Sequence, residues 1–216
     1  MLSVYHTVHP SGQGEMTVQK SRFICYVRRV TTEEEAQAFI AEIKKKHADA
    51  AHNCSAYLIG EHDQIQKAND DGEPSGTAGV PMLEVLKKRG LKDTCVVVTR
   101  YFGGIKLGGG GLIRAYGSAV TTGLNETGMV ERRLMTKLSA AFDYSLLGKV
   151  ENEVRNSDYP LKDIAYEEQV RLTCWVPAGG EETYESWMQN LTNGQVTLSR
   201  DGAGYLETDL DPPGRS

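Results

Sequence analysis

The chain has 216 residues, with 24 Lys and Arg against 29 Asp and Glu, and a formal charge of −5. Its 39% hydrophobic and 25% charged residues are ordinary globular composition, and a chain of this length buries a core without disulfide staples, as one large domain or two small ones. No stretch approaches the roughly 18 apolar residues of a membrane span, the N-terminus lacks the apolar run of a secretory signal, and the mild acidity argues against a chromatin-style basic binder.

The first fifteen residues are polar and turn-rich and read as an arm or a weak edge strand. Residues 18–30 carry a strand around Phe23, Ile24 and Tyr26. Thr32 then stands as a helix N-cap with Glu35 as its capping-box partner, and Ala36, Phe39, Ile40 and Ile43 repeat at helical spacing over 33–47. Lys44, Lys45 and Lys46 fall in the last turns, where the helix dipole favours cations. Asn53 to Ile59 reads as a strand, with a turn into a second near 64–68. Residues 69–79 have no periodicity. Pro81 opens a short helix through Lys88, stopped at Gly90. Asp93 to Phe102 is the strongest strand, GGIKLGGGG follows at 103–111, and Leu112 to Leu124 reads as a helix.

A boundary is expected near Met129, giving domains over 1–130 and 131–210, with a disordered tail from 211 to 216. The charges divide there: residues 1–130 sum to +1 and residues 131–216 to −6, so a polyanion would meet the first half. The second half reads as strand 133–141, helix 144–156, strands 161–167 and 169–176, helix 181–192, and strands 195–199 and 203–208. That β-α-β-β-α-β order is the ferredoxin-like pattern. The aromatics Tyr184 and Trp187 sit at the spacing of a buried helix face.

Cys25, Cys54, Cys95 and Cys174 are scattered, with no CxxC pair, so a structural zinc site is not expected and a reducing cytoplasm fits best. His52 near Cys54 is a weak sign of a thiol nucleophile. A buried cysteine beside a surface histidine is the blander account.

Two segments break local rules. Asn69 to Gly79 holds Asp70, Asp71 and Glu73 within four residues, followed by Ser75 and Thr77. Such carboxylates cap exposed backbone N–H groups, orient water, or hold a hydrated Mg²⁺, with Asp71 and Glu73 as the candidate ligands. Ser75 and Thr77 could donate to a phosphate oxygen. No cofactor is called for otherwise.

The second segment runs from Arg100 to Arg114. Six of its residues 103–111 are glycine, namely Gly103, Gly104, Gly108, Gly109, Gly110 and Gly111. Ordered glycine costs backbone entropy, and a chain keeps it where it turns sharply or approaches something closely. Between a strand and a helix, successive N–H groups form a nest, and Arg100, Lys106 and Arg114 add charge. This is a candidate phosphate site, with a tight structural turn as the other reading. Tyr101 or Phe102 could stack on bases, although strand alternation sends them to opposite faces. The lysine of a Walker A loop is missing, and GxGxxG is absent.

DDGEPSGTAGVPMLEVL at 70–86 and VVVTRYFGGIKLGGGGLIRAYG at 96–117 resemble the signature of the Impact family, also called the YigZ group, and the resemblance covers the whole chain. It implies an α+β fold: a first domain similar to the second domain of ribosomal protein S5, and a ferredoxin-like second domain similar to a late domain of elongation factor G. The eukaryotic relative regulates translation partly through an extra N-terminal domain that has no counterpart here. The expectation is therefore a non-catalytic RNA- or ribosome-binding protein that modulates translation, with a protein partner there and no membrane. A small-molecule enzyme acting on a nucleotide or phosphorylated metabolite is the alternative, and a protein-interaction scaffold using the acidic second domain is the third reading.

Overall fold

Two five-stranded sheets organise the chain. The computed structural model describes residues 1–210, so the tail expected at 211–216 lies outside the described residues. The strands are β1 (Val4–Val8), β2 (Ser11–Val18), β3 (Ser21–Arg29), β4 (His52–Ile59), β5 (Ile65–Asn69), β6 (Thr94–Tyr101), β7 (Met129–Phe142), β8 (Leu161–Tyr166), β9 (Val170–Pro177) and β10 (Thr197–Leu210). The helices are α1 (Glu33–Lys46), α2 (Gly79–Lys88), α3 (Gly108–Thr127), α4 (Leu147–Arg155) and α5 (Glu181–Leu191). The chain divides into one unit of Tyr5–Glu131, joined by the stretch from Thr208, and another of Met1–Val4 with Arg132–Glu207.

In the first unit the sheet order is β2-β3-β6-β4-β5. Its central strands are buried on both faces and so read as unbroken apolar runs. Alternation sorts the residues: Phe23, Cys25, Val27, Cys54, Ala56, Leu58, Val96 and Val98 join Met82, Leu86 and the apolar stripe of α3 in one cluster. Ile24, Tyr26, Tyr57, Ile59, Cys95 and Val97 join Phe39, Ile40 and Ile43 of α1 in another. Each helix layer covers one face.

In the second unit β7 pairs with β9, β9 with β8, and β10 with β7, and α4 and α5 supply Val150, Val154, Tyr184 and Met188 to one core. The thiols of all four cysteines are free and buried.

Several expectations change. Of the two readings of the first fifteen residues the edge strand holds, as β1 and the first part of β2, which is an edge strand whose polar side chains hide its periodicity. Helix α2 starts at Gly79, so Pro81 is its third residue. The expected strands 195–199 and 203–208 are one strand, β10, carried past Gly202 at φ +89°. The expected helix 144–156 divides into a 3-10 turn, Tyr144–Leu146, and α4. The largest change is α3, which starts at Gly108 and takes the four glycines as its first turn. Poor propensity at one end is overridden because Leu112, Ala115, Tyr116, Ala119, Val120 and Leu124 anchor the rest in the core.

Candidate functional site

The acidic loop resolves into three carboxylates with three separate jobs. Asp70 accepts the N–H groups of Gly76 (2.9 Å), Ala78 (3.1 Å) and Gly79 (2.8 Å). Residue Ala78 has no side chain able to cap α2, so Asp70 caps that helix from eight residues upstream. Burial opposes ionisation of Asp70, but the three N–H donors outweigh it and hold its carboxyl below the ordinary value. Asp71 takes Lys44 Nζ at 2.6 Å and Asn53 N–H at 2.7 Å. Its carboxyl is also held low: burial raises it, and Lys44 and the Asn53 amide lower it further.

Glu73 turns inward. Its side chain is 3% exposed, and Oε1 receives Arg100 Nη1 at 2.6 Å and the Tyr116 hydroxyl at 2.7 Å. Arg100 is on the α2–α3 face of β6 because it continues the parity of Val96 and Val98. His52 stands directly across from it in the β4–β6 register. Nη2 of Arg100 reaches Ser21 Oγ at 3.4 Å, and the same oxygen receives Gly103 N–H at 3.2 Å. Gly103 has no room for a side chain, since a Cβ would lie 2.1 Å from the Lys20 carbonyl carbon. The tight reading of that glycine is correct.

Beside this buried pair lies a cleft of about 400 Å³, lined by His52, Glu73, Pro74, Arg100, Phe102, Lys106, Leu107, Gly108, Gly109 and Leu112. Arg100 is 5% exposed, and its Nε is buried with no hydrogen-bond partner among the described residues. The first turn of α3 opens onto the cleft, and Leu107 before it offers no side-chain cap. The expected nest is therefore a helix N-terminus, whose leading N–H groups lack intrahelical partners. A Cβ at Gly109 would meet nothing within 4 Å among the described residues, so no contact among them requires glycine there. Phe102 is 53% exposed, and the Arg100 guanidinium lies 5.5 Å from its ring centre.

Not every expected residue joins. Tyr101 faces α1 instead, where its hydroxyl lies 2.8 Å from His47 Nδ1 and 3.1 Å from Asp49 Oδ1. Gly104 turns the chain at φ +84° and Gly110 and Gly111 belong to α3, but none of the three lines the cleft. Arg114 is exposed on α3, with Nη1 over Gly110. Ser75 is exposed, and Thr77 donates its hydroxyl to the Pro74 carbonyl at 2.6 Å, so neither faces the cleft. Asp71 and Glu73 point to Lys44 and Arg100 rather than toward each other. Among the described residues no three His, Cys, Asp or Glu side chains gather as a metal site. Burial raises the Cys54 thiol to about 12, which disfavours the thiolate a nucleophile needs. Among the described residues no helix is long and apolar enough to cross a membrane.

Sequence reading underrated His52 and missed Ser21 and Tyr116 altogether. For His52 the signal was parity: it shares the face of Cys54, Ala56 and Leu58. Ser21 and Tyr116 carry no such sign, because an isolated serine in a turn and a tyrosine in an apolar helix stripe look structural.

The N-terminal unit matches the Impact N-terminal domain over residues 19–124, and residues 141–195 match a domain of unknown function, DUF1949. A crystal structure of a hypothetical protein, 30% identical, superposes with a TM-score of 0.59 over 92% of this chain and 97% of that one. The mouse protein IMPACT is 36% identical over 98 residues, covering 43% of this chain and 30% of its own length. The IMPACT family member YigZ of Escherichia coli is 34% identical over 84% of this chain and 90% of its own. The IMPACT family member YvyE of Bacillus subtilis is 59% identical over 96% of this chain and 95% of its own length. Identity that runs through both units at this level makes the chain a YvyE-like member of the IMPACT family.

Proposed function

We propose that the chain is a non-catalytic RNA- or ribosome-binding protein that acts on translation, and that the cleft beside Arg100 takes a phosphate of the RNA backbone. The observation that carries this reading is the buried Nε of Arg100, without a hydrogen-bond partner among the described residues, on a side chain that lines the same cleft as the uncapped glycine turn of α3. Buried cationic nitrogen and free helix N–H groups both call for an anion. Lys106 lines the cleft, Arg114 stands on the exposed side of α3, and neither has an ion-pair partner among the described residues. Phe102 offers a ring on which a base stacks.

Binding rather than turnover is favoured by where the carboxylates go. Asp70, Asp71 and Glu73 are all engaged in holding the loop or Arg100, which leaves the acidic loop as the support of a binding site. The fold assignments implied by the resemblance belong to the same proposal. The path β7-β9-β8, with β10 also paired to β7 and β1 added beside β7, supports a ferredoxin-like second domain. The first domain is assigned to the ribosomal protein S5 domain 2 type on the resemblance. Both types occur in translation proteins, and that link is analogy.

The test is binding to purified ribosomes and to total cellular RNA over a salt series, comparing the wild type with a Lys106→Ala/Arg114→Ala double variant. Binding that weakens with salt and is lost in the variant is expected. Affinity unchanged by salt, or unchanged in the variant, overturns the reading.

A further inference from the structure

His52 and Glu73 leave a gap in the cleft wall that calls for a hydrogen-bond donor. His52 Nδ1 lies 2.8 Å from the carbonyl oxygen of Asp71. A carbonyl only accepts, so Nδ1 carries the hydrogen, and in the neutral ring Nε2 is an acceptor. That Nε2 is 3.7 Å from Glu73 Oε2, beyond hydrogen-bond length, with acceptor facing acceptor. The other carboxylate oxygen, Oε1, is already saturated by Arg100 and Tyr116. The cleft thus has two chemically distinct parts. Arg100, Lys106 and the first turn of α3 offer only donors, and the His52–Glu73 edge offers two acceptors. A matching ligand carries an anion with a hydroxyl close beside it. Along a nucleic-acid backbone only RNA does so, through the ribose 2′-hydroxyl next to each 3′-phosphate.

We propose that His52 Nε2 and Glu73 Oε2 together accept the hydrogen of a ribose 2′-hydroxyl, so that the cleft selects RNA over DNA. The proposal rests on the phosphate reading above and adds to it the identity of the sugar. Five charged groups lie around His52: Glu73 and Asp71 on the loop, Arg100 across the sheet, Lys106 on the approach to α3, and Lys44 of α1 behind Asp71. The proposal needs the ring with its hydrogen on Nδ1 and Nε2 free to accept, the arrangement that the Asp71 carbonyl holds.

The experiment is fluorescence anisotropy with three short oligonucleotides of one sequence: RNA, DNA, and 2′-O-methyl RNA, which keeps the sugar shape and loses the donor. Wild type is expected to bind RNA about tenfold more tightly than either of the others, the range of one hydrogen bond to a charged group. In His52→Ala, with its fold checked by thermal melting, that preference is expected to fall below about threefold. Equal affinity for all three probes, lost for all three in Lys106→Ala/Arg114→Ala, overturns the hydroxyl assignment and leaves the phosphate reading standing. Equal binding of RNA and its 2′-O-methyl form, or a preference that survives in His52→Ala, overturns it as well. No binding of any probe overturns both.

Discussion

Arg100 is the residue on which the site turns, and it is held by a carboxylate that is itself buried at the edge of the cleft. Taking a carboxylate and a guanidinium out of water costs several kcal/mol each, and their attraction recovers this only when both partners stay and the remaining lone pairs are met. Tyr116 meets one of them, and burial, together with the neighbouring Cys54 and Glu73, pushes its phenol upward so that it stays a donor. Glu73→Ala should therefore lower stability by about 3–5 kcal/mol in urea unfolding, since it leaves Arg100 buried without a counter-charge. A cost below about 1 kcal/mol would show that the guanidinium escapes to solvent. Asp70 works differently, through backbone caps. Asp70→Ala should cost about 1–2 kcal/mol at neutral pH, the value of a lost helix cap. The pH dependence has a definite sign. The carboxyl titrates lower in the folded chain than in the unfolded one, so its contribution is complete above about pH 4 and vanishes as pH falls through the folded value. The gap between wild type and variant should hold from neutral pH to about pH 4 and close below it, and a gap that widens in acid would refute the capping role.

The glycine-rich turn of α3 shows one element serving two demands. A helix gains from alanine and loses from glycine by roughly 0.5–1 kcal/mol per residue, and a Cβ at Gly109 meets no atom of the described residues within 4 Å. Gly109→Ala should consequently raise thermal stability slightly, by about 0.5 kcal/mol, while weakening oligonucleotide binding by crowding the cleft. Stabilisation with undiminished binding would place the ligand elsewhere. The start of this helix was not legible in the sequence, because four glycines carry no periodicity and the side chains that hold them in place, Leu107 and Leu112, lie on either side of them. Elements anchored by strong periodicity were legible. Thr32 caps α1 by accepting Glu35 N–H at 3.2 Å, although Glu35 answers to Thr31 N–H at 2.7 Å, one residue before the expected box. Within the candidate site, residue types that break a pattern stood out, which is why Glu73, Arg100 and Lys106 of the cleft lining could be picked from the sequence, together with Asp70 and Asp71 of the loop behind it. What could not be read was direction. Tyr101 faces α1 and Arg100 the cleft, and a sheet register that only folding supplies sets His52 opposite Arg100, the partner of Glu73.

For the whole molecule the charge sum and the site pull in opposite directions. The chain carries −5 overall, while residues 1–130 sum to +1 and residues 131–216 to −6. A chain of this balance has no broad field to gather polyanions, so its affinity for RNA depends on a few local contacts. Each phosphate neutralised on a single strand contributes about 0.7 to the slope of log affinity against log salt. Lys106 and Arg114 are cations without carboxylate partners among the described residues, so removing both should shallow that slope by about 1.4. Arg100 gives a contrast within the same measurement. Its charge is already compensated by Glu73, so replacing the pair together, as Glu73→Leu/Arg100→Met, should weaken binding with a smaller change in slope. A slope that falls equally in both double variants would mean that Arg100 meets the phosphate as a full charge, and that Glu73 releases it when RNA binds.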